Sequence, residues 1–273
     1  MDGFFRAFIL RTIARIYPAI KCLYQHLGSC YTARMSRSNP TNTRNFWASL
    51  AINAINASPE MRRELRPAMA ALRGKEPTLE EVCSVAADVL DTDARRIRMD
   101  SLSFLAEYVR SRFKDARKAA MWLTARDRRL GVWAALACSY WALDVASEQS
   151  NGSKAESAIR AGRNCAKITT AWVQGLASAD DVRRVADDCP DYSPYASDAA
   201  NSASYAAYAA TETPEIDYIG YAVSAVPDAS QSASSSVKVR KEVLLDLVSV
   251  IADAILDFPP AVRSNPTRRR SRR

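Results

Sequence analysis

Six carboxylates crowd one stretch of this 273-residue chain: Asp180, Asp181, Asp187, Asp188, Asp191 and Asp198. Paired carboxylates can work as general acid and base, or hold a hard cation. The spacing does not repeat an EF-hand loop, however, and Asp180 and Asp181 stand where the first turn of a helix favours negative charge. A solvated or partner-facing acidic surface is therefore the expectation. Nucleophilic chemistry has less support still. A serine or cysteine needs a neighbouring base, and the single histidine, His26, lies in an N-terminal leader. The cysteines, Cys22, Cys30, Cys83, Cys138, Cys165 and Cys189, are widely spaced with no CxxC or HxxxH pair. Neither structural zinc nor a disulfide scaffold fits that pattern, and buried, reduced thiols do. Neither GxxxxGK[ST] nor GxGxxG occurs, so no glycine loop cradles a phosphate. These residues predict a non-catalytic protein with no cofactor and no metal. An enzyme with an unrecognised carboxylate site is the least favoured class.

Tyrosines make a second pattern: Tyr192 with Tyr195, Tyr205 with Tyr208, and Tyr218 with Tyr221, each pair spaced to share one helix face. Single-strand binders interleave such rings with Arg and Lys. Between Arg184 and Lys238 there is no base at all. The rings are thus expected between helices with hydroxyls at the rim, or as anchors for a protein partner.

The formal net charge of +8 points at first to nucleic acid or membrane, but it is unevenly placed. Residues 1–45 carry +6, 46–130 carry +4, 131–262 carry −8 and 263–273 carry +6. The final arm holds Arg268, Arg269, Arg270, Arg272 and Arg273, which suit weak, nonspecific phosphate contact, a localisation signal or a solubilising end. Arg95, Arg96 and Arg98, with Arg110, Arg112, Lys114, Arg117 and Lys118, are interspersed with acids and read mostly as wet helix faces.

The elements that must position these groups are helices. Over residues 3–27, Phe5, Ile9, Ile13, Ile16, Ile20 and Leu23 gather on one face and Arg11, Arg15 and Lys21 on the other. This basic amphipathic leader, residues 1–34, is read as a surface membrane anchor, a targeting segment, or sequence upstream of a true start at Met35. Arg6, Arg11 and Arg15 interrupt it where a signal peptide would be apolar, so a cytoplasmic protein is expected, with peripheral membrane association if the leader is translated. A polar linker follows over 35–45, then a helical part over 46–127, an Ala-rich helical part over 128–258 and a basic tail over 259–273. Helix starts are marked by Ser58-Pro59-Glu60, the Thr78–Glu81 capping box, a weaker box at Ser178–Asp181, Ser193-Pro194 and Thr213-Pro214-Glu215. Gly74 closes one helix and Pro259-Pro260 the last.

Helices are expected near 46–57, 59–73, 78–91, 101–125, 128–148, 154–176, 179–188, 194–211, 214–226 and 228–257. No stretch alternates as a strand would. The predicted fold is all-α, a compact multi-helix bundle or stacked helical pairs. Alanine, about one residue in six, lets the axes approach closely.

Two resemblances bear on function. TLEEVCSVAADVL followed by Asp100-Ser101-Leu102 is superficially similar to the pantetheine-bearing region of an acyl carrier protein. The family's glycine is replaced by Arg98 and the inter-helix connection is too short, so Asp100 is read as a helix cap instead. Residues 128–257 resemble the Ala-rich, all-helical immunity proteins found beside bacterial polymorphic toxins. The resemblance rests on Ala158, Ile159, Ala161 and Arg163, then Ala171, Trp172 and Gly175, then Ser178. It covers about half the chain, and the family's later histidine has no counterpart.

The resemblance implies a protein that binds and blocks a cognate toxin. The acidic half suits a basic partner, since opposite charge speeds and selects association. Asp187, Asp188, Asp191, Tyr192 and Tyr195 are the expected contact residues. The alternative is a phage or mobile-element scaffold whose basic ends touch nucleic acid or an anionic membrane.

Overall fold

Side-chain oxygens of Thr78, Asp93, Asp115, Asp127, Ser178 and Asp217 satisfy free N–H groups in the first turn of a helix. The computed structural model describes residues 46–55, 59–72, 77–149, 152–189, 194–211, 217–229 and 237–260. Eleven helices lie among the described residues: α1 (Phe46–Ala54), α2 (Pro59–Ala71), α3 (Leu79–Leu90), α4 (Ala94–Arg112), α5 (Ala116–Thr124), α6 (Arg128–Gln149), α7 (Ser153–Val173), α8 (Ala179–Asp187), α9 (Pro194–Thr211), α10 (Tyr218–Ala229) and α11 (Val237–Leu256). No strand occurs among the described residues, and the fold is all-α. The leader, Met35, Ser58, Gly74, Ser193, the Thr213-Pro214-Glu215 signal and the arginine tail lie outside the described residues.

Both capping boxes form. Thr78 Oγ1 accepts from the Glu81 N–H at 3.2 Å, and the Glu81 carboxylate accepts from the Thr78 N–H at 3.1 Å. Ser178 and Asp181 make the same reciprocal pair at the head of α8, with bonds of 3.1 and 3.2 Å. Pro259 and Pro260 follow the end of α11.

Three expected boundaries are corrected. The helix expected over 101–125 is two helices, and Asp100 is an interior residue of α4 instead of a cap. Asp91 ends α3 in the left-handed region at φ 48°, and Asp93 caps α4 by accepting from the Arg95 N–H at 2.8 Å. Phe113 then becomes extended, and Asp115 restarts the chain as α5 by accepting from the N–H groups of Arg117 and Lys118. That break returns Trp122 onto Tyr108 and Phe113, with ring centroids 5.2 and 5.6 Å apart. Towards the C-terminus, the helices expected at 214 and 228 begin at Tyr218 and Val237. Pro227 is accommodated within α10, two residues before its end, where it removes one ladder hydrogen bond. The adjacent Asp228 accepts from Arg240 of α11 at 2.9 and 3.2 Å and so joins the two helices.

The core centres on α6, which packs against α5, α7, α9, α10 and α11. By length and composition α6 could cross a membrane, but most of its apolar window is buried inside this bundle, as in the core helix of a globular protein. Alanine-rich α9 packs on α6, α7, α8 and α10. Gly162 of α7 shows how tight this layer is: a Cβ there would lie 2.8 Å from Leu143 Cδ2 and 2.9 Å from Ala200 Cα. A buried hydroxyl chain crosses the same layer, with Ser139 and Ser202 2.8 Å apart and Ser202 donating to the Ala222 carbonyl at 2.8 Å. Finally α11 returns onto α4, α5 and α6, so the helices on either side of residue 127 share one core.

Residues 126–129 tie these layers together. Asp127 accepts from the Trp47 indole at 2.9 Å and also from the Arg129 N–H at the start of α6. Arg126 donates to the Trp122 carbonyl at the end of α5, Arg128 to Ala209 near the end of α9, and Arg129 to Val173 at the end of α7. Each cation meets the orphan carbonyls and the negative pole of a helix C-terminus. These contacts hold the ends of α7 and α9, and with them the edge described next.

Candidate partner-binding face

The edge formed by α8, α9 and α10 combines carboxylates with tyrosines. α8 is a short helix whose Val182 and Ala186 are buried while Asp187 and Asp188 are exposed. Ser204 of α9 donates to the Ala186 carbonyl at 3.1 Å, which fixes the end of α8 against α9. One turn further along α9, the Tyr208 hydroxyl donates to Asp187 Oδ1 at 2.6 Å. Burial, reinforced by the Asp187 carboxylate, pushes the Tyr208 hydroxyl up to about 12. Asp187 is thus a placed acceptor, while Asp188 projects beside it.

The tyrosine pairs meet across helices. Tyr205 of α9 lies 6.5 Å from Tyr218 and 5.8 Å from Tyr221 of α10, and Tyr208 lies 5.5 Å from Tyr218. Tyr221 remains 51% exposed, so the cluster offers an aromatic surface as well as an internal seam. Asp217 closes the far side, accepting from the Gly220 N–H at 2.8 Å and from Arg117 of α5 at 3.0 Å.

Of the expected contact residues, Asp187 and Asp188 stand on this edge. Asp191 and Tyr192 lie outside the described residues, as does the side chain of Tyr195, which belongs to the first turn of α9. Arg268, Arg269, Arg270, Arg272 and Arg273 also lie outside them. The spacing of Tyr208 marks it for packing with its hydroxyl at the rim or as a partner anchor, but not as the group that fixes Asp187; that bond spans 21 residues and has no local signature. Asp181 belongs to the helix cap, and the Ser178 hydroxyl and N–H hold its carboxyl below the usual range.

Among the described residues no three His, Cys, Asp or Glu side chains converge as a metal site. Cys83, Cys138 and Cys165 are buried free thiols, and Cys189 is partly exposed. The edge can form hydrogen bonds, attract a cation and present aromatic area. No family model, no curated protein and no solved structure matches the chain.

Proposed function

We propose that this is a non-catalytic binding protein whose acidic, tyrosine-bearing edge docks a basic protein partner, in the manner of a toxin-neutralising immunity protein. The observation that carries this reading is the Tyr208–Asp187 hydrogen bond, which holds a carboxylate beside the tyrosine cluster at the rim of a rigid helical layer. The surrounding segment, from Val185 to Val237, contains no base. A fixed acceptor loses little freedom on binding, and aromatic rings supply contact area at low entropic cost. The net negative charge of residues 131–262 draws a basic protein and repels nucleic acid.

The test is capture from the native host with the wild-type chain and with an Asp187→Lys/Asp188→Lys variant. The expected result is a basic partner whose association rate falls with salt, and which associates about tenfold more slowly with the variant. An unchanged rate would remove the two aspartates from the interface, and an acidic partner would overturn the reading.

A further inference from the structure

The acidic edge and the arginine tail are complementary segments of one chain. Eight acids and no base lie between Val185 and Val237, and Asp187 and Asp188 are exposed at the end of α8. Asp180 is exposed at its head, where Arg184 is already 3.6 Å from Asp181. The tail sets five arginines in the six positions 268–273, and no acid follows Asp257. Residues 1–45 carry +6 as well, but spread over their whole length.

The place where the described chain stops decides what the tail can reach. Phe258, two residues before Pro260, is buried, and the Arg129 guanidinium lies 5.3 Å from its ring centre. That guanidinium donates to the Val173 carbonyl at 2.8 Å, and Val173 ends α7. Only residues 174–178 separate it from α8. They begin by folding back, with Gly175 at φ 77° and the Leu176 N–H donating to the Ala171 carbonyl at 2.7 Å. The tail therefore leaves the body beside the approach to α8. Fully extended, the eight residues from Pro260 to Arg268 span about 26 Å, and the five from there to Arg273 add about 17 Å. α8 is about 13 Å long, so the arginines can lie along it from Asp180 to Asp188.

We propose that the arginine tail, residues 268–273, docks on the acidic edge of its own chain and covers Asp187 and Asp188 until a basic partner displaces it. Guanidinium groups pair with carboxylates through parallel N–H donors and stack on aromatic faces. Both kinds of acceptor stand here, the aspartates of α8 and the half-buried rings of Tyr205 and Tyr208 beside them. Tethering holds the tail at a local concentration on the order of a millimolar, so contacts too weak to retain a free peptide keep the edge occupied. The competitor's role rests on the edge being the docking face proposed above; the contact itself does not.

The test uses the full chain with Ser271→p-benzoylphenylalanine, a photoreactive residue, irradiated in low and in molar salt and mapped by mass spectrometry of its peptides. The expected product has the mass of one chain, carries the link on α8 or on the tyrosines of α9 and α10, and falls about fivefold in molar salt. Asp187→Lys/Asp188→Lys should remove the link, and Asp187→Asn/Asp188→Asn, which keeps the shape of the edge, should weaken it. A link to another part of the chain, a product of twice the mass that joins two copies, or no link at either salt would overturn the proposal. Competition is read with a fluorescent peptide of residues 263–273. It should bind a full chain carrying Arg268→Ser, Arg269→Ser, Arg270→Ser, Arg272→Ser and Arg273→Ser about tenfold more tightly than the native chain, whose edge is already covered. Equal binding would overturn the competitor's role. If these results fail while a basic partner is still captured through Asp187 and Asp188, the tail contact falls and the docking face stands.

Discussion

The helices around α1, α4 and α5 and those around α6, α7, α9 and α10 are packed by opposite means. In the first region large rings fill the space. Phe46 lies 4.8 Å from Trp47 and 6.0 Å from Trp122, while Trp47 stacks on Phe258 at 6.2 Å. Arg126 covers the Trp122 ring at 3.9 Å, and Arg98 donates to the Phe258 carbonyl. In the second region buried alanines line α9 at Ala196, Ala199, Ala200, Ala203, Ala206, Ala207 and Ala210, and the rings of Tyr205, Tyr208, Tyr218 and Tyr221 gather at its edge. A core of rings keeps its shape by filling volume, so it is most sensitive to truncation. A core of alanines keeps its shape by close axis approach, so it is most sensitive to enlargement.

Four measurements sharpen or break this contrast. The largest effect is expected for Trp47→Ala. Trp47 is 4% exposed and bonded to Asp127, so its removal should lower unfolding free energy by about 4 kcal/mol in a denaturant titration. Gly162→Val should follow at about 3 kcal/mol, because backbone of α9 blocks the new Cβ. If Gly162→Val proved neutral, the close-approach description of the second region would fail. Thr78→Ala, which removes one side of the α3 capping box, should cost about 1 kcal/mol, since it touches neither core.

The fourth concerns pH at the edge. Tyr208 is raised in the folded chain to about 12, so the stability it contributes is complete below the ordinary tyrosine range, about 10. It should be lost as pH rises from there towards 12. Ultraviolet titration of tyrosinate should show a late-ionising component, absent in Tyr208→Phe and shifted down in Asp187→Asn. A titration unchanged by Asp187→Asn would separate the carboxylate from the tyrosine.

The features legible in the chain were those whose partners are close in sequence. Both capping boxes close over three residues, so Thr78 and Ser178 announce their helices without reference to the rest of the molecule. The Asp100 reading failed for a related reason. An Asp-Ser pair is compatible with a cap wherever it occurs, and Asp93 stands one helical stretch earlier with the same chemistry, beside the left-handed Asp91 that ends α3. Arg95, Arg96, Arg112, Lys114, Arg117 and Lys118 are exposed, as their mixture with acids suggested, but Arg98 of the same cluster reaches across 160 residues to Phe258, and its side chain is only 18% exposed. Arg128 and Arg129, which no local pattern singled out, find carbonyls 81 and 44 residues away.

By itself the sequence determined an all-α chain, the positions of most helices, an acidic segment free of bases and tyrosines paired on single helix faces. These properties follow from periodicity, caps and charge, which act within a turn or two of backbone. Tertiary structure alone decided that the tyrosine faces of α9 and α10 meet, that Tyr208 holds Asp187, and that residues 126–129 join the ends of three helices. Each depends on which helix ends are brought together, and that choice is made by the packing of the whole core, where no local pattern of residues records it.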